Sequence, residues 1–450
     1  MSKLKKSLGL TDGVALLVGI TIGAGIFKTP QVIAKYVDSF SIVIALWIGV
    51  AVFVYIGALI YAELGTRFPN TGGEYIYMEK AFGPFWGFLF GWSQLLIIRT
   101  SPAAALILLS ADYIGFFIPL NQSYKIMLAI LILIIFGIIN YLGVEKGSLY
   151  NKFSSSVKIT GLFLFTLVGL FFVDGNFSKL SETVQATATL GSTGNIVAAL
   201  FMIVFSFLGW DRVGYVAGEM KTPQKVIPQS MLYGMIIIAT LYIGSNFLYH
   251  SVIGIDGMRS STIVASDTAI SLFGNIGANL ISIMVIISAT GSVNGTMMAT
   301  TRVYYAMAKN GLMFKWFDYI HPKFQTPSHA ILAHCIWSVV IILIRQNFET
   351  IVAGMVFAIL IFYGFTTIAF FKFRSLELGN KDCYKLPYYP LVPSLYIAGI
   401  IALVILRAYY ETWASAQDLI FVLSGIPVYF LFFKNNYHHI GFAFQIFRLV

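Results

Sequence analysis

The feature that most constrains this chain is the recurrence of apolar runs about twenty residues long, the length of helix needed to cross the hydrocarbon of a bilayer. About twelve can be marked, at residues 10–36, 41–66, 82–117, 124–142, 155–173, 195–219, 227–252, 275–308, 328–345, 349–372, 388–407 and 412–433. The third and eighth exceed a single crossing and are expected to tilt. Charged residues make up only 11% of the 450 residues, against about a quarter in soluble proteins, so the chain lacks the polar surface to dissolve. No short apolar segment with a small-residue cleavage site precedes the first run, so no removable signal is expected. The fold expected is an all-α polytopic membrane protein in one transmembrane domain spanning residues 1–450.

Lys and Arg set the orientation. With every run crossing, twenty of the 29 fall on the side of the N-terminus, among them Lys3, Lys5, Lys6, Arg67, Lys152, Lys221, Arg302, Arg374, Lys385 and Arg448. Six fall on the other side (Lys35, Lys125, Lys179, Arg259, Arg345 and Arg407), and Lys28, Arg99 and Arg212 lie within runs. This asymmetry places both termini in the cytoplasm and the protein in the cell membrane. The net charge of +10 does not point to nucleic acid, because the basic residues are scattered through short loops.

The chain carries no phosphate-binding glycine loop, HExxH, GxSxG or CxxC pattern, so the parts for ATP hydrolysis, metalloprotease or acyl-enzyme chemistry are missing and no enzyme activity is expected. Cys335 and Cys383 form neither a disulfide framework nor a zinc spacing, and no metal or cofactor is expected. Asn121-Gln-Ser123 and Asn176-Phe-Ser178 match the short glycosylation pattern, which arises readily by chance.

The first run is interrupted by Gly23-Ala24-Gly25, and the sixth by Gly209 with Gly214 and Gly218 following. Each opens a block of five runs, about 10–173 and 195–372, and an odd number of crossings inverts the second block relative to the first. The pair at 388–433 is left over. Glycine-broken helices at matching positions of two inverted halves point to a midplane binding site; ordinary small-residue packing is the alternative. Unwinding frees backbone N–H groups at the restarting helix for a carboxylate, and carbonyls on the other side of the break for an ammonium group. A zwitterion satisfies both, which favours amino acids over sugars or inorganic ions.

The stretches Ile22-Gly-Ala-Gly-Ile-Phe27, Glu63-Leu-Gly-Thr-Arg-Phe-Pro-Asn-Thr-Gly-Gly-Glu-Tyr75, Phe205-Ser-Phe-Leu-Gly-Trp-Asp211, Glu219-Met-Lys-Thr-Pro223 and Gly291-Ser-Val-Asn-Gly295, with Arg302 and Gly311-Leu312, follow one another in an order and spacing that resemble the amino acid–polyamine–organocation superfamily, nearest its L-type amino-acid exchanger branch. The resemblance implies the LeuT-type five-plus-five inverted repeat with two additional C-terminal helices. It implies a substrate site of Thr21, Ala24, Gly25, Ile26, Phe205, Ser206 and Leu208: N–H groups of Ala24, Gly25 and Ile26 for the carboxylate, carbonyls of Thr21, Phe205 and Leu208 for the ammonium, and Phe205 as an aromatic gate. Many relatives carry Ser where this chain has Ala24, which removes one hydroxyl contact.

Lys158, just inside the fifth run, resembles a tethered cation standing for a second sodium ion between the first and eighth helices, with Ser288 or Ser292 on the eighth. That role implies sodium independence; a lysine snorkelling to the interface is the alternative. Arg99, deep in the third run, resembles the third-helix arginine of the cystine/glutamate exchangers and is a specificity candidate; its alternative is a structural pair with Asp112 or Asp211. Asp211 and Arg212 are adjacent and either neutralise each other or serve as gate charges. Lys28 is expected at the surface, and Glu63, Arg67 and Glu74 in a structural network of the inner loops. The loop at 119–125 lacks the cysteine by which animal L-type light chains bond a heavy chain, so no such partner is expected. The function implied is secondary amino-acid transport by alternating access, as a sodium-independent exchanger of small neutral or polar amino acids. Proton-coupled amino-acid or polyamine uptake, and a nutrient sensor or channel on the same fold, remain open.

Overall fold

Apolar helices form in hydrocarbon because a helix satisfies its own backbone hydrogen bonds. In the computed structural model, which describes residues 8–69, 73–173, 178–183 and 185–434, eleven helical segments are long and apolar enough to cross a membrane. The first span supplies the twelfth crossing in pieces: Leu10–Thr21, a tight turn over Ala24–Phe27, and Thr29–Tyr36. The others are the second (Phe40–Arg67), third (Pro84–Ile114), fourth (Gln122–Leu142), fifth (Gly147–Phe171), sixth (Gly191–Gly214), seventh (Pro223–Ser260), eighth (Val264–Lys309), ninth (Ser328–Arg345), tenth (Phe348–Ser375), eleventh (Leu391–Tyr410) and twelfth (Thr412–Phe432). The protein is thus the all-α polytopic membrane protein expected. Lys3, Lys5, Lys6, Arg448, Asn176 and the segment 70–72 of the second matching stretch lie outside the described residues.

Two lengths differ from expectation for the same reason. The seventh span continues past residue 252 to Ser260 through a kink at Gly254, where φ is +71°. The eighth starts at Val264, eleven residues early, and turns at Gly274, where φ is +65°. Left-handed backbone at these glycines lets each helix carry a short arm beyond the membrane crossing. The arms cover the outer half of the first span: Arg259 Nε donates to the Ala34 carbonyl at 2.9 Å, and Lys28 Nζ to that of Thr262 at 3.2 Å.

Small residues set how closely spans approach. A Cβ at Gly291 would collide with Ser154, and one at Gly161 with Met284, so the fifth and eighth spans meet backbone to side chain. At the N-terminal face, Glu63 accepts from Arg67 at 2.7 Å, from Arg374 at 3.0 Å and from the Leu386 backbone N–H at 2.7 Å. This ties the second span to the tenth and to the chain entering the eleventh. On the opposite face, fully buried Asp418 of the twelfth span binds Arg345 at 2.6 Å and Arg407 at 2.9 Å, and Arg407 lies over the Phe201 and Phe357 rings.

Removing one partner of a buried ion group strands the others. Asp418→Asn leaves two guanidinium groups short of a counter-charge and is expected to destabilise the protein by about 3–5 kcal/mol, read as an earlier thermal transition of the purified protein. An unchanged transition removes this network from the forces holding the terminal pair.

Candidate functional site

Both expected helix breaks are present. In the first span the helix ends at Thr21, and Ile22 (ψ 98°) and Gly23 (φ −117°, ψ −173°) run extended before the turn at Ala24–Phe27. In the sixth the α-helix ends at Phe207, Leu208 is extended (ψ 143°), Gly209 is left-handed at φ +119°, and a 3-10 helix runs over Trp210–Glu219. The breaks touch. A Cβ on Gly209 would lie 2.8 Å from Ile20 Cγ2 and 3.3 Å from Thr21 Cα, and one on Gly25 would lie 3.1 Å from the Phe205 ring. Glycine is needed at 209 for its dihedral and at 25 for the approach.

A cavity of about 400 Å³ opens at this contact. Thr21, Ala24, Gly25, Phe205, Ser206, Leu208, Arg99, Lys158 and Ser292 all line it; Ile26 and Ser288, both fully buried, do not. Phe205 caps one end, its edge against Phe348 with ring centres 5.6 Å apart. Away from the breaks the walls are Leu16, Gly19, Asn151, Ser155, Thr296 and Ala299, which belong to the N-terminal-face halves of the first, fifth and eighth spans. Towards the other face the first span is strapped down by Lys35–Glu349 at 2.6 Å and Lys28–Asp112 at 3.4 Å. The cavity's lining therefore runs from the breaks towards the N-terminal face, while these ion pairs tie down the other half of the first span.

Several of these contacts are absent from the sequence reading. The Tyr242 hydroxyl, from the seventh span, lies 3.1 Å from the Thr21 carbonyl and 3.0 Å from that of Ser206, so one side chain ties together the ends of both interrupted helices. The Ser206 hydroxyl bonds that of Thr29 at 2.9 Å. The Phe205 carbonyl accepts the Leu208 N–H at 3.1 Å. Of the carbonyls expected to face an ammonium group, Thr21 and Phe205 thus already hold a protein donor, and each keeps a second lone pair.

The charges are arranged across spans. Residues Gln94–Ile98 form a π-helical turn, a wider coil that re-aims the side chains around it and recurs at functional sites. It brings Arg99 Nε to the Gln94 side-chain oxygen at 2.7 Å and Arg99 Nη2 to Asp211 at 3.6 Å. Asp211 therefore pairs with the third span and not with its neighbour Arg212, which lines the cavity. Lys158 is 5% exposed and makes no hydrogen bond or ion pair to a described residue; the Ser288 and Ser292 hydroxyls also lack a protein partner. The bridge from the fifth span to the eighth is not formed in this conformation. Lys28 corrects the expectation of a surface lysine: it is 8% exposed and held by Asp112 and the Thr262 carbonyl. The reason is Asp112, 84 residues on in sequence near the end of the third span, which supplies the counter-charge that burial requires.

No single-sequence signal marks Tyr242, one of 25 tyrosines in the chain, or the π turn, whose residues Gln94–Ile98 read as ordinary apolar helix. Arg99 was the visible trace of the turn, since a charge at mid-span needs local rearrangement to find partners.

A multi-span helical protein with a cavity of this size at two touching helix breaks, lined towards one face, fits a membrane permease. The chain belongs to the amino acid permease family, whose model matches residues 8–440, within the amino acid–polyamine–organocation superfamily. It is 30% identical over 431 residues to the serine/threonine exchanger SteT of Bacillus subtilis, covering 95% of this chain and 97% of that one. It is 28% identical to the b(0,+)-type amino acid transporter 1 of Mus musculus, covering 100% and 92%, and 26% identical to the human cystine/glutamate transporter, covering 96% and 86%.

Tyr242→Phe deletes the shared donor while keeping the ring packed on Trp47, whose centre lies 5.5 Å away. The expected result is a loss of about 0.5–1.5 kcal/mol of stability and a several-fold rise in KM for the transported substrate, measured by uptake into proteoliposomes. An unaltered KM excludes this hydroxyl from shaping the site.

Proposed function

We propose that this protein is an amino-acid carrier working by alternating access, a sodium-independent exchanger of small neutral or polar amino acids in the cell membrane with both termini cytoplasmic. The observation that carries the reading is the contact of the two helix breaks at the cavity. The backbone N–H groups of Ala24, Gly25 and Ile26, at the start of the turn after the first break, would present the positive end of a restarting helix to a carboxylate. The carbonyls of Thr21, Phe205 and Leu208 would present the opposite polarity to an ammonium group. Phe205 lies over Gly25, where closure on a small substrate would bring ring and backbone together. The names of the relatives, a serine/threonine exchanger foremost, support exchange of small polar substrates.

Arg99, pinned between Gln94 and Asp211 at the cavity wall, is placed to read a polar substrate side chain, since the Asp211 contact at 3.6 Å is long enough to yield. Lys158 substitutes for a bound cation: an ammonium group carried by the fifth span and standing for an ion between the first and eighth removes the need for sodium. Its lack of a protein partner here supports a second reading, proton-coupled uptake, in which Lys158 gives up its proton during the cycle. The loop 119–125 has no cysteine, and Cys335 and Cys383 lie in the ninth span and in the loop before the eleventh, which supports a protein that works without a disulfide-linked partner chain.

The purified protein in liposomes separates these readings. Uptake of labelled serine or threonine is expected to require unlabelled amino acid inside, to be unchanged when sodium is replaced by choline, and to fail in empty liposomes under an imposed pH gradient. Uptake driven by that gradient alone selects proton coupling instead. Lys158→Ala is expected to reduce exchange at least tenfold, and full activity would remove the lysine from the mechanism. Arg99→Ala is expected to change the ranking of competing amino acids; an unchanged ranking makes Arg99 structural.

A further inference from the structure

A second concave site lies at the N-terminal face, apart from the substrate cavity. It encloses about 240 Å³, and its walls are Arg67, Arg374, Glu377, Lys381 and Lys385, all of them charged. Three observations distinguish it from an ordinary solvated patch of lysines. First, the guanidinium groups of Arg67 and Arg374 share one carboxylate, Glu63, at 2.7 and 3.0 Å. That carboxylate also accepts the Leu386 N–H at 2.7 Å. Second, Arg67 is 6% exposed, and its Nε–H has no acceptor among the described residues although buried donors are nearly always paired. Third, the chain is shaped to bring more positive charge to this place. Gly379, at φ +91°, allows the loop to pass over Arg67, where a Cβ would lie 2.7 Å from Arg67 Cγ, and the Asn380 N–H bonds the Arg67 carbonyl at 2.9 Å. That passage delivers Lys381 and Lys385.

We propose that this cup is a binding site for a phosphate group, either the headgroup of an anionic lipid or a free phosphate anion. Four cations face two carboxylates, Glu63 and Glu377, leaving an excess of two positive charges. A phosphate monoester carries about −1.5 to −2 at neutral pH and balances it, and the singly charged phosphodiester of a lipid such as phosphatidylglycerol offsets half of it. Guanidinium groups take phosphate in a two-pronged geometry. The plane of Arg374 is held by the Tyr389 ring, 4.2 Å from its central carbon. Lys381 is free to turn in, because its ion pair with Glu377 is long, 3.9 Å, and both side chains are about four-fifths exposed, where such pairs are weak. Arg67 and Arg374 end the second and tenth spans, so the cup sits at the depth of lipid headgroups. Two residues before Arg67, a Cβ on Gly65 would lie 3.3 Å from Gly214 Cα in the sixth span. An occupied cup therefore braces the second span against the segment that carries Asp211 and Arg212 into the substrate cavity.

The test is thermal stability of the full chain in nanodiscs, because a ligand that binds the folded state raises the transition temperature. In neutral phosphatidylcholine discs, inorganic phosphate or pyrophosphate is titrated at constant ionic strength. In a separate arm, phosphatidylglycerol replaces part of the neutral lipid with no phosphate present. The wild type is expected to gain stability in at least one arm. The double variant Lys381→Ala/Lys385→Ala, which leaves the Glu63 contacts in place, is expected to lose most of that gain. A control pair on the same face but outside the cup, Lys309→Ala/Lys315→Ala, is expected to keep it. A gain with soluble anions alone identifies a free phosphate, a gain with phosphatidylglycerol alone a lipid headgroup, and a gain in both a site for the shared group. Equal gains in the wild type and the cup variant, no gain in either arm, or a gain reproduced by chloride overturns the proposal.

Discussion

A backbone amide in hydrocarbon must find a partner, and everything distinctive about this protein follows from two places where the helical partner is missing. Over most of the chain the requirement is met by uninterrupted helix. At Ile22–Gly23 and at Leu208–Gly209 it is not, and the structure brings the two defects into contact. Left apart, each break would expose N–H and carbonyl groups to lipid at a cost of several kcal/mol per group. Placed together inside the bundle, they face a polar cavity that water or a zwitterion can enter. The Tyr242 hydroxyl then meets part of the remaining demand by spanning the two helix ends. The same groups that threaten stability are the ones the proposed substrate site would use.

How much of this is legible in the sequence depends on the range of the interaction. The spans and the breaks are local: twenty apolar residues in a row, or two glycines at mid-membrane, announce themselves without any knowledge of neighbours. Nine of the residues singled out from the sequence do line one cavity. The failures are non-local. Lys28 reads as a surface residue until Asp112 is known to stand 3.4 Å away. The adjacency of Asp211 and Arg212 suggests mutual neutralisation, but a helix points neighbouring side chains in different directions, and Asp211 finds Arg99 instead. The helical arms at 253–274 escaped because their turns, at Gly254 and Gly274, are single left-handed residues inside otherwise helical sequence. Ile26 and Ser288 show a further limit: a residue can sit beside the right break, or on the right helix, and still turn away from the cavity.

The ion pairs fall into two groups by burial, and the division separates parts that can move from parts that cannot. On the face opposite the N-terminal one, the straps on the outer half of the first span are partly solvated: Lys35 and Glu349 are each about a third exposed, and Asp112, shared by Lys28 and Lys125, is 23% exposed. The Lys35–Glu349 pair, about a third exposed, contributes about 0–1 kcal/mol, whereas Lys28, itself buried, depends on Asp112 for the counter-charge its burial requires. The Asp418 group is of the opposite kind. Arg407 is 2% and Asp418 0% exposed, and separating them would leave bare charges in a medium that cannot solvate them. The eleventh and twelfth spans are consequently fixed to the ninth and tenth, whereas the second half of the first span is held by one buried pair, one partly solvated pair and bonds to backbone carbonyls. The carrier cycle proposed above needs such an asymmetry, a frame of buried ion pairs beside a helix held in part by a solvated one.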